Sequence, residues 1–158
     1  MNKPAKNIIY DIAIALAIAM FFITDQILKY AARGAAGDKI VAILGNIFTF
    51  RFTPNYYIAF SIPFSGYILN IFILTLIGLL IIYLLYLIIK NKGSRFDIIC
   101  FLIMIGGAIS NIIDRLAYGY VVDYLYLQYF TVFNLADVMI SGGALALIIK
   151  NLKRKDNK

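Results

Sequence analysis

The chain has no histidine, no glutamate and a single cysteine in 158 residues. Without histidine, neither a Ser-His-Asp triad nor a histidine-ligated zinc site of the H-E-x-x-H kind can be built. Cys100 has no second cysteine with which to close an intramolecular disulfide, so cysteine usage says nothing of redox compartment. It lies mid-segment in FDIICFLIM and reads as a buried, inert thiol. The eight acidic residues are all aspartate. Acid–base chemistry in this chain therefore falls to aspartate.

What is abundant is apolar. Hydrophobic residues make up 63% of the chain, against roughly 45–50% in a soluble domain. Four apolar segments stand out, at about 8–30, 67–89, 96–116 and 133–152. Each approaches the roughly 20 residues that a helix needs to cross the hydrocarbon core. In lipid the backbone must satisfy its own hydrogen bonds, so such spans are helical. The first segment follows Lys3 and Lys6, as a removable signal would. Its apolar run is long, however, and no small-residue cleavage site precedes Asp25 and Lys29, so a retained helix is expected. No lipobox cysteine follows it.

The net charge of +7 does not point to nucleic acid, because the basic residues flank the apolar segments as membrane-topology charges do. Lys3 and Lys6, then Lys90, Lys92 and Arg95, then Lys150, Lys153, Arg154, Lys155 and Lys158 fall on one side. Arg33, Lys39, Arg51 and Arg115 are sparser for the length of the other two links. Both termini are therefore expected in the cytoplasm. Between the first two helices, residues about 33–66 carry the period-two pattern Phe48, Phe50, Phe52 against Thr49, Arg51, Thr53. A turn signal at Thr53-Pro54-Asn55 and a second run from Tyr56 to Ser61 complete an expected β-hairpin on the outer surface. The expected fold is an all-α integral membrane protein, a single domain over 1–158, with four transmembrane helices and this small extracytoplasmic β-rich insertion.

Polar residues gather in GGAISNIIDRLAYGYVVDYLYLQYFTVFNLAD, residues 106–137. Asn111 and Asp114 are three apart and share a helix face, as do Asn134 and Asp137; Asp25 and Lys29 are four apart and can pair. The topology puts all of them, with Asp123, near one interface. An aspartate at the centre of a membrane helix costs roughly 2.5–3.5 kcal/mol, so such residues are commonly paired or functional. Asp25–Lys29 reads as a positioning pair, Asp114 with Arg115 as an ion pair at a helix end, Asp11 as an interface residue, and Gly106, Gly107 and Ala108 as a close-packing surface. Asp123 and Asp137 have no basic residue close in sequence. Two aspartates brought close share one proton; the ionised one can deprotonate water while the other polarises a carbonyl. A small transporter or channel-like protein using intramembrane aspartates is the alternative. It calls for carboxylates along the membrane or at its midplane, whereas the second helix has none and the others cluster at one end.

At these residues the chain resembles bacterial lipoprotein signal peptidase (signal peptidase II). The family's D-x-x-x-K, N-x-G-A-A-F, G-G-A-x-G-N-x-x-D-R, V-V-D and F-N-x-A-D motifs appear in order as Asp25 to Lys29, NYYIAF, GGAISNIIDR, VVD and FNLAD. The resemblance spans essentially the whole chain. It implies Asp123 and Asp137 as the catalytic pair, with Asn111, Asp114, Arg115 and Asn134 in support and Asn55, Asp25 and Lys29 toward the substrate. It further implies removal of signal peptides from diacylglyceryl-modified prolipoproteins, by cleavage just before the lipidated cysteine. Neither a metal nor a cofactor is expected. The expected partners are the lipid-modified prolipoprotein and membrane lipids, with no nucleic acid, and the chain is expected to act as a monomer. Tyr57 and Ile58 replace the family's Gly-Ala, which bears on substrate fit, and Ser110 replaces a glycine, where it is expected to tighten helix packing. The link YLYLQYFTV after Asp123 is short for a mobile lid.

Overall fold

A computed structural model describes residues 3–34, 40–57 and 66–156. Four helices form: α1 Lys3–Gly34, α2 Gly66–Ile89, α3 Arg95–Tyr118 and α4 Leu135–Asp156. All four are long and apolar enough to cross a membrane. Large apolar side chains such as Met20, Leu79, Ile82 and Leu145 stay more than half exposed on them. Burying that surface calls for a nonpolar surrounding. Helix α3 is the central element and packs against α1, α2 and α4.

The α3–α4 contact is close because two glycines allow it. A Cβ on Gly107 would lie 2.5 Å from the Ala136 carbonyl oxygen, and one on Gly143 would lie 2.6 Å from Cγ of Met104. Of the small residues expected to serve packing, Gly107 does so, set directly against the first turn of α4. At the opposite end of α3, Ser94 and Asp97 form a reciprocal capping box. Lys150 of α4 reaches Asp97 at 2.5 Å and Asp11 of α1 meets Arg95 at 2.5 Å. These ion pairs, the first partly exposed and the second exposed, tie the helix ends together.

The strands differ from the expected hairpin. Strands β1 Val41–Leu44, β2 Phe48–Asn55, β3 Val121–Leu127 and β4 Val132–Phe133 make one antiparallel sheet in the order β1-β2-β3-β4. The turn lies at residues 45–47, where Gly45 takes a positive φ of 52°. Thr53-Pro54-Asn55 is strand, paired with Asp123, Val122 and Val121. The second run expected from Tyr56 to Ser61 lies outside the described residues from 58 onward. The fold is thus not purely helical outside one insertion: the α3–α4 link supplies half of the sheet. Period-two patterning marks a strand but does not choose its partner, and here the partner is some 70 residues away. Val122 and Tyr124 of β3 are fully buried with Ala32 of α1, which seats the sheet on the bundle.

Candidate active site

Helix α4 opens with Asn134 as N-cap. The Asn134 side-chain oxygen accepts the Asp137 N–H at 2.9 Å, and Asp137 Oδ2 accepts the Asn134 N–H at 3.2 Å. This is a capping box built from Asn and Asp. Because the Asn134 oxygen faces a backbone donor, its amide nitrogen faces the other way and donates to Asp123 Oδ1 at 2.8 Å. One residue therefore holds both carboxylates. Asp123 Oδ2 accepts from Asn55 Nδ2 of β2 at 2.9 Å, and Asp137 Oδ1 accepts from Asn111 Nδ2 of α3 at 2.8 Å. Asp123 is 2% exposed, while Asp137 and Asn55 are only partly buried, so the pair opens on that side.

Behind the pair lies a second buried cluster. Nζ of Lys29 stands 2.9 Å from Oδ2 of Asp25, 2.9 Å from Oδ2 of Asp114 and 2.9 Å from Oδ1 of Asn111. The Asp25–Lys29 pair of the sequence reading forms. The expected Asp114–Arg115 ion pair does not: Asp114 turns to Lys29 and to the Val122 N–H at 3.1 Å. Adjacent helical residues diverge by about 100°, so Arg115 points elsewhere. It donates instead to the Tyr57 carbonyl at 2.6 Å and the Tyr56 carbonyl at 3.5 Å.

Two hydroxyls take polar roles that the sequence did not assign. Ser110 is fully buried; its Oγ donates to Asp25 Oδ2 at 2.6 Å and accepts from Gln26 and Lys29 at 2.8 and 3.2 Å. It is a polar junction between α1 and α3, a role beyond the helix packing expected of it. Tyr124 was hidden in an aromatic run, where a phenol reads as interface belt. Its buried hydroxyl donates to Asp25 Oδ1 at 2.8 Å and accepts the Leu135 N–H at 3.1 Å.

Burial, and next the charge of Asp137, push the Asp123 carboxyl up to about 7, against the two amide donors that favour its charged form. Burial and the neighbouring Asp25 carboxylate push the Tyr124 hydroxyl far up, so it remains a donor. The arrangement is a buried carboxyl poised to hold a proton beside a second, more accessible carboxylate.

A family model for signal peptidase II matches residues 16–153. The chain belongs to the signal peptidase II family. It is thus an aspartic peptidase and a multi-pass bacterial membrane protein, and its family removes signal peptides from prolipoproteins. The lipoprotein signal peptidase of Caldicellulosiruptor bescii is 37% identical over 138 residues, covering 87% of this chain and 89% of that one. That of Clostridium tetani is 34% identical, covering 87% and 91%, and that of Streptococcus agalactiae 32% identical, covering 96% and 97%. A bacterial membrane enzyme solved by the in meso method at 2.3 Å resolution shares the fold with a TM-score of 0.80 and 26% identity, over 92% of this chain and 91% of that one. A second, at 1.9 Å, gives 0.72 and 27%, over 89% and 93%. Membership in a peptidase family disfavours the transporter reading.

Proposed function

We propose that this signal peptidase II family member hydrolyses the peptide bond just before the lipidated cysteine of diacylglyceryl-modified prolipoproteins, using Asp123 and Asp137 as its acid–base pair. What supports the pairing is the joint grip of Asn134 on both carboxylates. Asp123 carries the shared proton and Asp137 is the base. Water attacks the scissile carbonyl carbon; Asp137 takes the water proton while Asp123 gives its own to the carbonyl oxygen. Collapse of the resulting gem-diol breaks the C–N bond. The proton on Asp137 then passes to the leaving cysteine nitrogen, and a gem-diol proton returns to Asp123. One water is consumed per cut, and both aspartates return to their starting protonation.

Asn111 and Asn134 orient the pair, Asp114 and Lys29 hold Asn111 and the start of β3, and Arg115 fixes the carbonyls of Tyr56 and Tyr57. Asn55, beside Asp123 on a partly exposed strand end, meets substrate. The Asp25 and Lys29 side chains are fully or nearly fully buried, which favours positioning over substrate contact for both. The charge distribution of the links supports cytoplasmic termini and a site near the extracytoplasmic interface, with the sheet on that side. The chain works as a single membrane domain and as a monomer among lipids. Purified wild type, Asp123→Asn and Asp137→Asn are compared on a diacylglyceryl-modified prolipoprotein. Cleavage by the wild type and by neither variant is expected; wild-type-like cleavage by either variant sinks the pair assignment.

A further inference from the structure

A helix begins with four backbone N–H groups that have no intrahelical partner. At the start of α4 all four are taken, by three different elements. The Asn134 N–H goes to Asp137 and the Asp137 N–H to Asn134, within the cap itself. The Ala136 N–H goes to Asp25 Oδ1 of α1 at 3.2 Å. The Leu135 N–H goes to the Tyr124 hydroxyl of β3 at 3.1 Å. Tyr124 immediately follows Asp123, and Leu135 lies two residues before Asp137.

Successive strand residues point to opposite faces. Asp123 and Tyr124 therefore leave β3 in different directions, yet both end at the first turn of α4: Asp123 on the Asn134 amide, Tyr124 on the Leu135 N–H. The phenol is in turn fixed by Asp25, whose other oxygen is held by Ser110 and Lys29. Tyr124 is fully buried and its ring packs on Phe50 with centroids 5.4 Å apart.

We propose that Tyr124 is a positioning residue for the reaction, its hydroxyl bracing the strand that carries Asp123 against the helix that carries Asp137 and so setting their spacing. This rests on the acid–base pair proposed above. Removing the hydroxyl orphans the partly buried Leu135 N–H and lets the Asn134–Leu135 backbone shift. The two carboxylates, both hung on Asn134, then lose their shared geometry.

The test is Tyr124→Phe, which keeps the ring and its packing. On a diacylglyceryl-modified prolipoprotein, kcat should fall roughly tenfold to a hundredfold with KM unchanged. Phe50→Leu serves as the comparison, because it loosens packing around the same ring and leaves the hydroxyl. It should lower the thermal transition yet keep kcat. If Tyr124→Phe keeps wild-type kcat, or if the two variants lose kcat in proportion to their loss of thermal stability, the brace is wrong. Should Tyr124→Phe fail to fold, 3-fluorotyrosine at position 124 replaces it: the ring and hydroxyl stay but the oxygen is a weaker acceptor. A lower kcat at constant KM supports the brace, and an unchanged kcat overturns it. Loss of cleavage in Asp123→Asn and Asp137→Asn alongside an unaffected Tyr124→Phe would reject the brace alone, whereas cleavage by either Asp variant rejects the pair itself.

Discussion

Lys29 Nζ lies 2.9 Å from Oδ1 of Asn111, and that contact decides which way the Asn111 amide faces. A lysine ammonium only donates, so the Asn111 oxygen must face it and the amide nitrogen must face Asp137, 2.8 Å away. A cation on α1 thereby sets the polarity of a hydrogen bond to a carboxylate on α4. Asn111→Ala should lower kcat about tenfold to a hundredfold, the loss expected for one hydrogen bond to a charged group. Asn111→Asp should be worse, because it sets an acceptor against Asp137. Steady-state cleavage of a prolipoprotein checks the order, and an Asn111→Asp variant as active as Asn111→Ala contradicts it.

Lys29 also compensates two buried carboxylates, Asp25 and Asp114, at 2.9 Å each. Taking away one partner of a buried ion pair costs roughly 3–5 kcal/mol, because the remaining charge is left without compensation. Lys29→Met should therefore lower the thermal unfolding transition in detergent markedly, and activity with it. Removing Lys150, whose bond to Asp97 is partly exposed, should cost about 1 kcal/mol or less. Equal shifts for the two variants would contradict the buried cluster's role.

The pH dependence follows from Asp123. Its carboxyl titrates near 7 in the folded protein rather than at 3.8, because of burial first and the Asp137 charge second. In the proposed mechanism the pair works with one proton, so kcat/KM should fall as pH rises through about 7. Stability moves the same way: a raised carboxyl contributes fully below 3.8, and that contribution is lost as pH rises through about 7. Asp137→Asn takes away the second cause and should move the Asp123 titration down, which carbon-13 NMR of labelled aspartate measures. An alkaline limb that stays flat to about pH 9 would falsify the shared-proton arrangement.

Gly107 and Gly106 should respond differently to the same substitution. A Cβ on Gly107 would meet the Ala136 carbonyl at 2.5 Å, one residue before Asp137, and backbone cannot swing away. A Cβ on Gly106 would meet the flexible end of Met139 at 3.3 Å and Cγ2 of Ile18 at an ordinary 3.6 Å. Gly107→Ala should push the first turn of α4 outward, costing about 1–3 kcal/mol of stability and most of the activity. Gly106→Ala should stay close to wild type. Thermal unfolding and cleavage measured on both variants decide it; the reverse order would show that α4 is not held at Gly107.

Four apolar runs of near-spanning length were legible without coordinates, because lipid leaves a backbone only the helix and hydrophobic length counts its turns. The i, i+3 pairs Asn111/Asp114 and Asn134/Asp137 and the i, i+4 pair Asp25/Lys29 were legible for a similar reason, since helical spacing is local. The aspartates stood out because no histidine or glutamate competes with them for the chemistry. Tertiary structure alone decided what those residues touch. Asp114 meets Lys29, 85 positions away, instead of its neighbour Arg115, because successive helical side chains diverge. Strand β2 pairs with the link between α3 and α4, a choice that alternation cannot make. Ser110 and Tyr124 are polar by a single hydroxyl each, too little to assign either a polar role in an apolar run. Only the packing of α1, α3 and β3 around the first turn of α4 buries those hydroxyls beside Asp25, where each must find a partner.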